Sequence, residues 1–485
     1  MKFKKLSYLS FLGILALGLT CSSCDKDLPG ENGTNTENPE GGSDNGENGG
    51  DDTPDDGTIL TPLQQKEKLS AIGQEFMNAI PSSDFDDITN TLQDVSDKYG
   101  ENYNWENVEE WAEDCWDKTL EYLGEETENY DYGYYVSTYI YKNYKQILLA
   151  SNFIGHFEAK NGGWQYSKAS NLQFSMPNEN YVVKLETSGG VKKVYVGNWE
   201  DYDGWDSYPN DNGSYNYTDY YDRYACTIGV PETITLTFSK GGDNIIKCVV
   251  TTNISGTTSE DKIDISKCNL SVTTLTEFNN GYKINVSQCQ YSANQNALMA
   301  MSVTKNNNPL VKMEMSTELS NIPSFNADAF VSEDYDDDEL EEDFENANAK
   351  NTYINVDIMG KLQVQGKVSN ARKMYEYWEE AEDNRYEEST YKSYINQVNS
   401  LADIKMFFDG KSTAQAYVIM EPFYKEAYWN DSKYWEAEPV ICFFDGSSYS
   451  SFEAFFNESD FRNIIDQFEK LFEEYTDIVE SFDVF

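Results

Sequence analysis

The chain has 485 residues and a formal net charge of −49, with 85 acidic against 36 basic residues. Phosphate contacts need a basic footprint, so a nucleic-acid role is excluded, and the same sign argument excludes steering to anionic lipid heads. Solubility, attraction for cations, and neutral or basic partners remain.

Met1 to Cys24 reads as a lipoprotein export signal. Lys2, Lys4 and Lys5 form a basic n-region, and Leu6 to Thr20 an apolar stretch too short to span a bilayer as a mature helix. The stretch ends in T-C-S-S-C-D-K-D. A lipoprotein peptidase wants a small residue before the acylated cysteine, and Ser23 meets this better than Thr20. Cys24 is therefore the lipid-attachment residue and Cys21 the alternative. An ordinary secretory signal cleaved nearby is the plainer reading. Positions 1–23 are then the signal and 24–59 a tether rich in Gly, Asn, Asp and Glu, without an aromatic residue. Such a tract cannot bury enough apolar surface to offset chain ordering. Signal and tether together resemble those of Bacteroidetes surface lipoproteins, in which acidic residues after the lipidated cysteine accompany export to the outer face. The resemblance implies an outer-membrane, cell-surface location and carries no activity.

Three amphipathic helices are expected over roughly 61–124, within a helical subdomain at 60–150. Thr61-Pro62 starts the first, with Leu69, Ile72, Phe76 and Ile80 on one face. Asp84 caps the second, with Phe85, Ile88, Leu92, Val95 and Tyr99 inward. Asn104 begins the third, with Trp105, Val108, Ala112, Cys115 and Leu120 inward and Gly124 as its stop. Tyr134 to Ala150 reads as a fourth helix or a strand.

From about 152 the period is two. An antiparallel β region is expected at 151–366, with acidic insertions near 199–224 and 333–346. Gly162-Gly163, Ser188-Gly189-Gly190, Gly241-Gly242 and Asn280-Gly281 each read as hairpin turns. Residues 237–252 and 302–317 look alike at a constant offset of 65, pairing Lys240 with Lys305 and Cys248 with Met313. Region 367–485 is read as α+β: polar helices at 371–398, two F-F-D-G turns, and a closing helix with Phe461, Ile464, Ile465, Phe468, Leu471, Phe472 and Tyr475 in one stripe. The order of elements in this last third also resembles that of Bacteroidetes lipoproteins, from V-D-I-M-G-K-L-Q-V-Q-G-K-V to E-P-V-I-C-F-F-D-G-S-S-Y. That likeness carries over no functional residue.

His156 is the only histidine. This argues against Ser-His-Asp and Cys-His hydrolases and against multi-histidine metal sites. Besides Cys21 and Cys24, six cysteines remain and form no C-x-x-C pair, so they read as buried small hydrophobes. An oxidising envelope permits a disulfide, and spacing assigns no pair.

One segment, read as a loop from Trp199 to Tyr224, stands out. Asp201, Asp203 and Asp206 around Gly204 offer calcium-type oxygen ligands, but the bidentate Glu of an EF-hand is missing. Trp199, Tyr202, Trp205 and Tyr208 offer rings for sugar faces. An ordered acidic cover over the sheet is the bland alternative. With 36 Tyr in the chain, simple population of exposed strands is a competing explanation for all these rings.

The fold expected is α+β: an N-terminal helical subdomain packed on a large antiparallel β-meander, with a C-terminal covering helix. The function expected is a non-enzymatic glycan- or protein-binding module, held to the membrane through its lipid anchor. A carrier of lipid or other apolar ligand is the alternative, resembling periplasmic lipoprotein carriers by fold alone. A carboxylate-based glycoside hydrolase comes third.

Overall fold

The computed structural model describes residues 57–100, 103–257, 261–324, 346–426 and 433–449. The signal, Cys21, Cys24, most of the tether, the acidic tract at 333–345 and the expected closing helix lie outside the described residues.

Three helices come first: α1 (Pro62–Ala79), α2 (Asp86–Tyr99) and α3 (Glu106–Asp117). Thr61 closes a capping box with Gln64, and Pro62 fills the first turn where no N–H is needed. Asp84 does not cap α2. It sits in a short 3-10 turn, and its carboxylate accepts from Tyr282 and Lys305 instead. α3 ends at Asp117 rather than Gly124, and the helical subdomain expected at 60–150 stops there. Leu120 already begins strand β1 (Leu120–Asp131), followed by β2 (Val136–Leu149). Tyrosines at alternate positions and β-branched neighbours favour a strand over this stretch.

The remaining strands are β3 (Gly155–Lys160), β4 (Gly163–Ser167), β5 (Leu172–Met176), β6 (Tyr181–Pro209), β7 (Tyr215–Lys240), β8 (Asp243–Ser255), β9 (Asn269–Phe278), β10 (Tyr282–Ser292), β11 (Asn296–Lys305), β12 (Asn308–Ser320), β13 (Asn348–Ile358) and β14 (Leu362–Asn370). After α4 (Ala371–Asp383) and α5 (Glu388–Leu401) come β15 (Ala402–Phe408), β16 (Ala416–Glu426), β17 (Lys433–Phe443) and β18 (Ser448–Tyr449). All belong to one 18-stranded sheet. From β6 to β18 every consecutive pair is antiparallel. The sheet therefore runs on past residue 366.

Ser188-Gly189-Gly190 is not a turn. β6 continues through it with a register shift between Ser188 and Val191, opposite Pro231 of β7. Gly189 has φ +83, a conformation strained for any residue with a Cβ, and the Glu232 side chain packs where that Cβ would stand. Here β7 changes neighbours. Residues 233–240 pair with β8, and 217–229 pair in parallel with β2. The outcome is an arm of order β1-β2-β7-β6 branching from the meander.

One face of the meander is apolar. Val286, Met301, Met313, Val356, Val364, Met406, Ala416 and Phe443 align in a single cross-strand row. The opposite face carries rows such as Glu314, Asn355, Gln365 and Lys405. Helices cover the apolar face. Leu69 and Ile72 of α1 pack on Phe408, Ala416, Ile441 and Phe443, which brings both F-F-D-G turns under one helix. α2 packs Phe85, Ile88, Val95 and Tyr99 against Phe157, Trp164, Tyr181, Phe238 and Tyr282. Tyr391 and Ile395 of α5 bury against Ala437. Each fully buried side chain of this size contributes roughly 1.5–3 kcal/mol.

The look-alike segments 237–252 and 302–317 both fold as hairpins, β7–β8 and β11–β12. Lys240 lies 5.0 Å over the Tyr181 ring, and Lys305 lies 5.1 Å over Tyr282.

Candidate functional site

The stretch from Trp199 to Tyr224 is a long hairpin in the arm, with strands to Pro209 and from Tyr215. Alternating rings and carboxylates are a strand pattern, and Gly197 and Gly204 accompany register shifts within it. Because strand side chains alternate, the four nominated rings divide between two faces.

Trp199 and Tyr208 take one face. Trp199 pairs with Tyr224, Tyr224 with Tyr144, and Tyr144 with Tyr122. The ring centres in this row are 5.6, 5.3 and 5.5 Å apart. Burial first, then the nearby Asp222 and Asp201 charges, push the Tyr224 hydroxyl pKa well up. Below the row, Lys142 Nζ lies 3.0 Å from Asp203 and 3.9 Å from Asp222. Tyr220 donates to Asp206 at 3.1 Å.

Asp201, Asp203 and Asp206 do not converge. Lys142 ion-pairs with Asp203, and among the described residues no group of three acidic, His or Cys side chains could hold a metal.

Tyr202 and Trp205 take the other face. The extra residue at Asp203 between the two puts them on the same side despite their odd spacing. Tyr202 is 55% exposed and Trp205 is 58% exposed. Behind them lie rings the sequence reading passed over: Tyr221 is 5.4 Å from Tyr202 and 5.5 Å from Tyr141, and Tyr217 is 6.2 Å from Trp205. Arg223 lies 3.4 Å over Tyr141 and is held by Glu200 at 2.5 Å and Glu126 at 3.6 Å. Tyr202 donates to Asp219 at 3.3 Å. The period-two spacing of Tyr139 with Tyr141, and of Tyr217 with Tyr221, was the available signal. Reading it required knowing that both segments are strands.

His156 is half-buried in β3, with Nε2 2.8 Å from the Ser175 hydroxyl. All six described cysteines are free thiols, four of them buried. Burial pushes the Cys226 thiol up to about 12, so it stays protonated and inert. The described carboxylates whose pKa moves are Asp84, Asp264, Glu277 and Asp445, and all four move down. A general acid needs the opposite shift.

The chain is thus an α+β protein with N-terminal helices on a large, mostly antiparallel sheet and two helices near its C-terminal end. No family model, curated protein or solved structure matches it. Function has to be reasoned from its own surface.

Proposed function

We propose that this protein is a lipid-anchored, cell-surface carbohydrate-binding protein without catalytic activity, and that its arm presents Tyr202 and Trp205 to a neutral glycan. The observation carrying this is the pair of half-exposed rings on one rigid face, interleaved with Asp219, Glu200 and Arg223. Ring faces suit the C–H patches of sugars, and carboxylates accept from sugar hydroxyls. The core of a protein interface is depleted of charge. Here ionised groups lie among the rings, which favours a hydroxyl-rich ligand over a protein. Screening the full chain on a glycan array tests the reading, and an array without a neutral-glycan hit rejects it.

Attachment is assigned to Cys24 on the export signal that ends in T-C-S-S-C-D-K-D; among the described residues no helix is long and apolar enough to cross a membrane. Fatty-acid labelling should vanish in Cys24→Ser and persist in Cys21→Ser. The reverse pattern would move the attachment site three residues upstream.

A second reading, a carrier of an apolar ligand, is favoured by a block of four methionines on the apolar face. Met301 pairs with Met313 and Met299 with Met315. Met315 and its neighbour Ile354 remain 36% and 38% exposed. Methionine surfaces adapt to irregular apolar partners. Titration with a fluorescent fatty acid, comparing wild type with Ile354→Glu, decides it. Binding that ignores the substitution, or no binding, ends this reading.

A further inference from the structure

α3 and the β3–β4 hairpin enclose an open cleft of about 1040 Å³, lined by none of the arm's residues. Its walls are fixed to each other. Asn104 bridges Gly163, and its N–H donates to the Gly162 carbonyl at 3.2 Å. Tyr103 donates to the Gly163 carbonyl at 3.1 Å, and Asn107 to the Trp164 carbonyl at 2.7 Å. The cleft is therefore preformed, and a ligand entering it pays little for ordering its walls.

The lining mixes three kinds of group. Trp111 and Tyr166 supply rings, with centres 6.5 Å apart and planes 34° apart. Gln165 and Asn161 supply amides that can both donate and accept, and Lys160 donates. Glu106, Glu110, Glu113, Asp114 and Asp117 along one side of α3 supply acceptors. A cation would engage the acceptors and the ring faces but would be opposed by Lys160 and leave the amide N–H groups unused. A polyol donates and accepts at each hydroxyl and lays its C–H face on a ring, so it uses all three kinds.

We infer that this cleft is a second carbohydrate subsite, which takes a short neutral oligosaccharide against Tyr166 and Gln165 with Glu110 as acceptor. The inference rests on the glycan reading of the arm and adds a concave site to its flat one. Two sites on one chain would raise avidity for a long glycan without any new contact at either site.

The test is calorimetric titration of the full chain with neutral gluco-, manno- and xylo-hexasaccharides. Tyr166→Ala, Gln165→Ala and Glu110→Gln are compared with the arm variant Tyr202→Ala/Trp205→Ala, and thermal melts monitor folding. Tyr166 packs beside Gly155 and Phe157, so the exposed Gln165 and Glu110 keep the test sound if Tyr166→Ala fails to fold. The expected result is a loss of about fivefold or more in affinity for each cleft variant, on top of any loss from the arm. If the cleft variants bind like wild type while the arm variant loses binding, the cleft inference falls and the glycan reading stands. Spermidine binding that Glu110→Gln abolishes, with sugar binding unchanged, would make the cleft a cation site and overturn the inference. No binding to any hexasaccharide overturns both readings.

Discussion

Lys305, at the end of β11, ion-pairs with Asp84, 221 residues earlier in the turn between α1 and α2. Around this pair, Tyr282 donates to Asp84 at 2.6 Å, Lys305 donates to the Ala79 carbonyl at 3.0 Å, and Asn280 donates to the Asp84 carbonyl at 2.8 Å. Two successive hairpin ends thus grip the turn that sets the direction of α2. The helical layer keeps its place on the sheet partly through these bonds.

The clamp has a pH signature. Burial works against the Asp84 carboxylate, but hydrogen bonds from Lys305 and Tyr282 outweigh it and hold its pKa below 3.8. A group with a lowered folded pKa contributes stability that is complete above its unfolded pKa. That stability is lost as pH falls through the folded value. Asp84→Asn should therefore cost about 1–3 kcal/mol at pH 6, and the gap to wild type should close as pH falls through the lowered folded value. Thermal melts of both proteins across pH 2–7 measure it. A constant gap would mean the loss is one of packing rather than charge.

The branch point of the arm depends on Gly189. Its positive φ and the close approach of Glu232 leave no room for a Cβ. Gly189→Ala should destabilise the fold by about 1–3 kcal/mol. If the register shift is the hinge between arm and meander, hydrogen exchange should speed up locally at Val191–Val194 and Val230. Uniformly faster exchange over the whole sheet would argue that the glycine has no special part in the branch.

Substitutions along α1 should separate by face. Ile72 is 5% exposed against Phe408 and Phe443, while Leu63 is 66% exposed. Ile72→Ala should cost about 2–5 kcal/mol, and Leu63→Ala should stay within about 0.5 kcal/mol. Chemical denaturation gives both values. Equal costs would place the helix in a different rotation.

Much of the layer structure was legible in the chain. Leu69, Ile72 and Phe76 repeat at 3.6, and each is buried where that spacing puts it. Gly241-Gly242 and Asn280-Gly281 turn as their residue types demand. Errors arose where one local signal had two physical solutions. A Gly-Gly pair serves a hairpin or a bulge, and at Gly189-Gly190 the decision belongs to Pro231 and Glu232 on another strand. Asp84 suits a helix cap, but a lysine 221 residues away claims its carboxylate. The stretch from Trp199 to Tyr224 looked like a loop because its charge density is high. Both faces of the arm meet solvent, so no apolar alternation betrays its strands. The cleft beside α3 had no sequence signal, because its walls meet through hydrogen bonds to the backbone carbonyls of residues 162–164 and ring contacts between segments some 60 residues apart, and no local pattern records such a pairing.

The division of the four rings gives the sharpest prediction for the arm. Tyr202 and Trp205 share a face only because the strand bulges at Asp203, while Trp199 and Tyr208 lie on the reverse. Tyr202→Ala and Trp205→Ala should each weaken neutral-glycan binding by about tenfold, the loss of one ring contact of roughly 1–1.5 kcal/mol. Tyr208→Ala, with a comparably exposed ring on the wrong side, should bind within about twofold of wild type. Deleting Asp203 should remove the bulge and leave Trp205 two positions from Tyr202, opposite Asp219 and on the same face as before. That variant should bind within about twofold of wild type, while the Trp205→Ala variant loses binding. Affinity measured by titration, with circular dichroism to confirm that the strands persist, checks all four. Loss of binding by the Asp203 deletion, with the strands intact, would show that the glycan does not read these two rings as a pair, and the arm site would have to be redrawn around the bulge or around the opposite row of Trp199, Tyr224 and Tyr144.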